Sequence, residues 1–258
     1  MLTEHRLSNG MRIWHSGSEG DSPRPLVLLL HERYGPVPYS LESTERLANE
    51  GFVTCVYDMF HRYDGDRKAL EDATDRCDPT DNEALEDLDS VIAYMRSLDY
   101  VDGSKIGIAG FCASGRTPLV YASARDDLAA AVVFHGGIYP RDYAGTLAGQ
   151  ETTDSMIPRI SSPVLGVFGE HDSLVPLENV IRFRNELRSA GKPYQLRVIG
   201  DVPHAWLNYT TDAYRAEQAR ESWELMVSFF RANFAEEWDP RIHTAIVADA
   251  GIAFPFLD

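Results

Sequence analysis

Hydrophobic positions along the chain fall into two alternating kinds of run. Short, mostly apolar stretches at 26–30, 52–57, 105–109, 129–134, 163–168 and 194–199 have the length of strands. Such runs with few polar positions are expected of strands buried on both faces. Between them, 41–49, 82–97, 177–190 and 213–233 carry apolar residues at helical spacing; in 82–97 these are positions 85, 88, 91, 92 and 95. Strands that alternate with helices predict an α/β fold with a mainly parallel central sheet flanked by helices. The first residues read differently, because Ser8-Asn9-Gly10 separates two short apolar-containing runs at 4–7 and 11–14. Asn-Gly at that place predicts a hairpin within 1–20, an antiparallel pair at one edge of the sheet.

Some segments break the rhythm. Residues 58–81 mix charges and aromatics and are expected to be a long functional loop with some helix. Residues 135–159 form a loop rich in Gly and Tyr, and Pro118 predicts a local kink in the helix around it. The tail 235–258 returns to apolar residues, among them Ile246, Val247, Ile252, Phe254 and Phe256. Such a tail is expected to dock on its own core or on the second subunit of a homodimer. With no repeat and no linker, 1–258 reads as one domain.

Composition changes this picture in one respect. Against 24 Lys+Arg stand 40 Asp+Glu, a net charge of −16, with no basic cluster to offset it. A surface so acidic repels phosphate backbones and anionic lipid heads, so neither nucleic acid nor membrane is expected as a partner. It also argues against an anionic substrate. Cysteines 55, 77 and 112 are odd in number and lack CxxC spacing, and the N-terminus has no apolar leader. The reading is a cytoplasmic protein with reduced thiols. His31, His61, His135 and His171 show no HExxH or paired spacing, and Gly35 and Gly136-Gly137 form no GxGxxG or Walker pattern. Neither a metal nor a cofactor is expected.

The informative segment is Gly110-Phe111-Cys112-Ala113-Ser114-Gly115, directly after a strand and before a helix. A nucleophile on a sharp strand-to-helix turn needs small neighbours, and the amide that follows it points to where an oxyanion develops. The last small position of such an elbow is ordinarily Gly; here it is Ser114. Read alone, Cys112 could equally be an inert packing thiol. Two further pieces bear on the choice. Asp172 ends Gly169-Glu170-His171-Asp172 after the next-to-last strand, and His204 lies in the loop after the last one. Singly, Asp172 could cap a turn and His204 could be a surface histidine. In order, nucleophile, acid and base at successive strand ends is the α/β-hydrolase sequence.

On these residues, from 24 to 234, the chain resembles the dienelactone hydrolase (carboxymethylenebutenolidase) family of α/β-hydrolases. The resemblance is carried by His31-Glu32-Arg33-Tyr34-Gly35, the elbow, Gly-Glu-His-Asp, and Pro203-His204-Ala205-Trp206 with the segment after it. It implies that Cys112 is the nucleophile, His204 the base and Asp172 the group orienting the imidazole. It also implies that the amides of Ala113 and Arg33 hold the oxyanion, and that Glu32 holds the resting thiol and moves aside for substrate. The implied reaction is cleavage of a small lactone or activated ester through a thioester acyl-enzyme. Relatives acting on dienelactone bind its carboxylate with arginines, one of them four residues after the catalytic histidine, where this chain has Asn208. Arg33, Arg62, Arg76 and Arg116 are the remaining candidates, Arg76 lying roughly where the family's other arginine falls. Tyr34, Tyr139 and Tyr143 are candidates to line the pocket. The rival readings are a carboxylesterase or thioesterase on a non-lactone substrate, and a small-molecule-binding protein that keeps the scaffold without turnover.

Overall fold

The computed structural model describes residues 1–235 and 247–248. Thr3–Arg6 (β1) and Arg12–His15 (β2) form the hairpin, with Thr3 opposite His15 and Arg6 opposite Arg12. Its turn is fixed by Asn9, whose Oδ1 accepts the Met11 amide at 3.1 Å. Arg24–Leu29 (β3), Val53–Tyr57 (β4), Val101–Phe111 (β5), Ala130–Phe134 (β6), Val164–Gly169 (β7), Tyr194–Ile199 (β8) and Val247–Ala248 (β9) complete one sheet. The strand order is β1-β2-β4-β3-β5-β6-β7-β8-β9; β1–β2 and β2–β4 are antiparallel and every other pairing is parallel. Parallel strands share one carboxyl edge, so the loops after β3, β5, β6, β7 and β8 leave the sheet on the same side.

Period-two alternation places both faces of these strands in apolar layers. Leu26, Leu28, Ile106, Ile108, Ala131 and Val133 face one layer, and Val27, Leu29, Ala109, Ala130, Val132 and Leu165 face the other. The first layer is covered by Asp81–Arg96 (α3), Thr117–Ala124 (α4) and Leu177–Ser189 (α7), the second by Pro38–Ala48 (α1) and Ala216–Phe234 (α8). Along α8, Ala219, Trp223, Met226, Val227, Phe230 and Phe234 make the inward stripe. Each large side chain buried there contributes roughly 1.5–3 kcal/mol relative to exposure. Among the described residues no helix is long and apolar enough to cross a membrane.

Differences from the expected elements have local causes. β5 starts four residues before its apolar run, and the register with β3 shifts after Pro25, which pairs with Asp102, to absorb Gly103-Ser104-Lys105 before Leu26 meets Ile106. Residues 58–81 contain one short helix, Arg67–Glu71 (α2), capped by Asp66 and tied back by Arg67 to both oxygens of Asp58. The stretch 135–159, expected as loop, holds Pro140–Ala144 (α5), Thr153–Met156 (α6) and a 3-10 turn, Ile157–Arg159, each too short to show a periodic stripe. At Pro118 the expected kink is a change of helix type: a 3-10 turn, Cys112–Arg116, passes into α4. Pro118 sits in the first turn of α4, where a missing N–H costs no helix bond. The apolar tail lies outside the described residues, except Ala235 and the pair Val247–Ala248 opposite Arg197 and Val198.

Candidate active site

Cys112 is the first residue of the 3-10 turn, directly after β5, with φ +52°, a left-handed conformation that costs a non-glycine residue about 1–2 kcal/mol. The turn closes only because its neighbours lack side chains. A Cβ on Gly110 would lie 2.2 Å from the Ser114 carbonyl oxygen, and one on Gly136 would lie 2.1 Å from that of Cys112. Gly136, in the loop after β6, is therefore part of the elbow. Ser114 is fully buried and takes a role glycine could not: its Oγ accepts the Phe111 amide at 2.9 Å and lies 3.0 Å from the Phe111 carbonyl oxygen.

Asp172 and His204 are brought together by bonds between their two loops. Asp201 donates its amide to Glu170 (3.0 Å) and His171 its amide to the Val202 carbonyl (3.0 Å). Trp206, wholly buried, anchors the histidine loop on α8 through Nε1–H to Ser222 Oγ at 3.1 Å. Asp172 divides its oxygens. Oδ1 accepts the amides of Leu174 (2.8 Å) and Val175 (3.1 Å), and Oδ2 lies 2.7 Å from His204 Nδ1. It thus both shapes its turn and orients the imidazole, while α7 begins later, at Leu177. His204 Nε2 stands 3.2 Å from Cys112 Sγ. Burial opposes charge on His204, but hydrogen bonds to Asp172 and Cys112 and their negative charges outweigh it and raise its pKa to about 10. The arrangement can move a proton between the thiol and the imidazole.

Glu32 is buried beside this chain. Burial pushes its pKa up to about 7 against the hydrogen bond from Asn208 Nδ2 (2.5 Å) and the nearby His204. Asn208 is itself buried, and its Oδ1 accepts from the amide and hydroxyl of Thr210. Its side chain is thus engaged inside the protein, away from the cleft wall. His31, whose pKa burial lowers to about 4, is neutral: Nε2 accepts the Met59 amide (3.1 Å), leaving Nδ1–H to donate to the Glu32 carbonyl (2.7 Å). That pair of bonds fixes the backbone leading into Arg33. Tyr34 is half-buried near Glu32 and Cys112.

A cleft of about 390 Å³ opens over the sulfur, lined by Arg33, Arg76, Cys112, Ala113, Tyr139, Pro140, Arg141, Ser173 and Leu174. Among the described residues, the Arg33 amide donates to no backbone acceptor. The Arg33 guanidinium holds the carbonyls of Ala73 (3.1 Å) and Asp75 (3.2 Å), and Arg76 pairs with Asp78. The Tyr139 hydroxyl donates to the His135 carbonyl at 3.1 Å and lies beside the Cys112 sulfur. Three expected candidates lie elsewhere. Arg116 is paired with Asp81 and Arg62 with Asp87. Tyr143 packs beneath Arg182, 3.8 Å from ring centroid to guanidinium carbon.

Two residues at the site carry no signal of a role there in the sequence. Arg141 stacks on Tyr139 at 5.0 Å and lines the cleft. His135, wholly buried, packs edge-to-face on His204 with ring centroids 4.7 Å apart. Burial and the neighbouring His204 lower its pKa well below the usual range. An arginine after a Tyr-Pro and a histidine after a strand carry no local pattern; only the tertiary fold places them.

Comparison with known proteins identifies the family. A curated relative, "Putative carboxymethylenebutenolidase" of Escherichia coli (strain K12), is 27% identical over 240 residues, covering 86% of this chain and 83% of its own. Among solved structures, "Putative Dienelactone Hydrolase" from Klebsiella pneumoniae superposes with a TM-score of 0.77 at 25% identity, covering 90% of this chain and 98% of that one. The dienelactone hydrolase-like promiscuous phosphotriesterase P91 from metagenomic libraries does so at 0.70 and 25% identity, covering 90% and 97%. The model of the dienelactone hydrolase family matches residues 11–234, which take in the elbow, both partner loops and the cleft, and the chain belongs to that family of hydrolases.

Proposed function

We propose that the chain cleaves a lactone or activated ester through Cys112, by way of a thioester acyl-enzyme. The observation that carries this reading is the unbroken path Asp172–His204–Cys112, at 2.7 and 3.2 Å, ending beneath an open cleft. His204 Nε2 takes the thiol proton before the attack, its raised pKa favouring the thiolate–imidazolium pair, and the thiolate then attacks the carbonyl carbon. The oxyanion is received by the amides of Ala113 and Arg33. As the tetrahedral species collapses, the C–O bond breaks and the imidazolium returns its proton to the leaving oxygen. Water, deprotonated by His204, then hydrolyses the thioester and restores the thiol. Asp172 keeps the tautomer that leaves Nε2 free to accept. Glu32 acts as the resting partner of the thiol and exchanges it for Asn208 when the thiol turns to His204. A carboxylate near sulfur opposes thiolate formation, so its withdrawal switches the nucleophile on.

Mixing the protein with a nitrophenyl ester tests this. The expected result is a burst of nitrophenolate close to one equivalent, with the acyl group found by mass spectrometry on the peptide carrying Cys112. Cys112→Ala should lose at least about 10³-fold in turnover. Undiminished turnover in that variant would overturn the reading. So would a wild-type protein with neither burst nor adduct, which would instead favour a binding role.

A further inference from the structure

Three metal-competent donors from three different strand ends converge beneath the cleft. Cys112 Sγ, a ring nitrogen of His135 and a ring nitrogen of His204 all lie within 4.8 Å of one another. The sulfur and His204 Nε2 are already 3.2 Å apart. Around tetrahedral Zn²⁺, with Zn–S about 2.3 Å and Zn–N about 2.0–2.1 Å, neighbouring donors stand roughly 3.3–3.6 Å apart. A displacement on the order of 1 Å therefore suffices to close the set.

His135 makes this more than a coincidence of spacing. Its side chain is wholly buried, and among the described residues neither ring nitrogen has a hydrogen-bond partner. A buried polar group left so costs about 1–3 kcal/mol. Its backbone is held at φ +37°, a second cost at the same residue. The hydrolytic steps give its ring no task. Asp172, on the far nitrogen of His204 at 2.7 Å, is the carboxylate support that commonly orients a zinc-bound imidazole. The fourth position would face the cleft and stay open to water.

We propose that Cys112, His135 and His204 bind a borderline or soft divalent cation, Zn²⁺ in the first place, which captures the thiol and reversibly arrests the enzyme. Binding forms one metal–sulfur and two metal–nitrogen bonds, releases the proton shared by the thiol and His204 to solvent, and changes no oxidation state. The spacing along the chain gave no zinc pattern because the ligands lie 23 and 69 residues apart, on separate loops. The site itself rests on donor geometry; the arrest of hydrolysis rests on the proposed role of Cys112.

Titrating the full chain, freed of metal by a chelator, with Co²⁺ tests the two separately. The expected result is a thiolate-to-cobalt charge-transfer band saturating at one equivalent, displaced by Zn²⁺ and absent in Cys112→Ala. His135→Phe keeps the ring packing and removes the donor. It should raise the Zn²⁺ concentration for half-inhibition of ester hydrolysis at least about tenfold. Equal inhibition of wild type and His135→Phe would overturn the three-ligand site. Should that variant not fold, the wild-type spectrum decides: no charge-transfer band, or a band that survives in Cys112→Ala, overturns the proposal. A band in a protein that hydrolyses no ester would support the metal site and count against the hydrolytic reading alone.

Discussion

At the scale of single residues, Glu32 makes the sharpest claim. A carboxyl whose pKa is raised from 4.5 to about 7 by burial binds more protons folded than unfolded between those values. Stability from this group is therefore full below the unfolded pKa and is lost as pH rises through about 7, by roughly 3 kcal/mol in all. Glu32→Gln keeps an oxygen for the Asn208 amide and removes the titration. Urea unfolding at about pH 5 and about pH 8 should show the variant gaining on wild type towards the higher pH, by up to about 3 kcal/mol. Parallel stabilities at both values would show that Glu32 is not held protonated by burial. Its role was suggested by its motif, but its partner was not. Asn208 lies 176 residues away, and its place four residues past His204 invited comparison with a substrate-binding arginine. A sequence records which side chain is present, not which way a buried amide turns.

Among elements, the elbow depends on a brace that the sequence also left unread. Arg116, at the end of the 3-10 turn, donates through Nε (3.0 Å) and Nη2 (2.7 Å) to the two oxygens of Asp81 at the start of α3. Asp81 also accepts the Glu151 amide at 2.7 Å, so one carboxylate joins three segments. With side chains 8% and 14% exposed, the pair is desolvated, and removing one partner leaves a buried charge. Arg116→Ala should destabilise the protein by about 3–5 kcal/mol, measured by urea unfolding, with an unaltered KM in the folded fraction. A raised KM at unchanged stability would return Arg116 to the substrate. The long elements were legible because burial on a sheet or against it imposes a period on the sequence. α3 was read to within one residue at each end, and its start is fixed by the reciprocal bonds of Thr80 and Glu83. The short helices of 135–159 and the bulge of β5 answer to tertiary packing, which leaves no period behind.

For the molecule as a whole, two fields of opposite sign meet at the cleft. The chain carries −16, yet Arg33, Arg76 and Arg141 line the site, with Asp78 3.8 Å from Arg141 and paired to Arg76. Their reach differs. The net charge acts over tens of ångströms at low salt, where the screening length is about 30 Å at 0.01 M and about 10 Å at 0.1 M. The arginines act on a ligand in contact, and are weakened only when screening approaches about 3 Å, near 1 M. A carboxylate-bearing ester should therefore give a kcat/KM that first rises with salt, as long-range repulsion is screened, and falls again as the arginine contacts weaken. A neutral ester of the same leaving group should stay nearly flat, and Arg76→Ala should lower the maximum for the charged ester alone. Steady-state rates for the two esters across that range are the measurement. A monotonic fall from the lowest salt would mean that the local cations govern approach as well as binding, and that the acidic surface sets no limit on an anionic substrate.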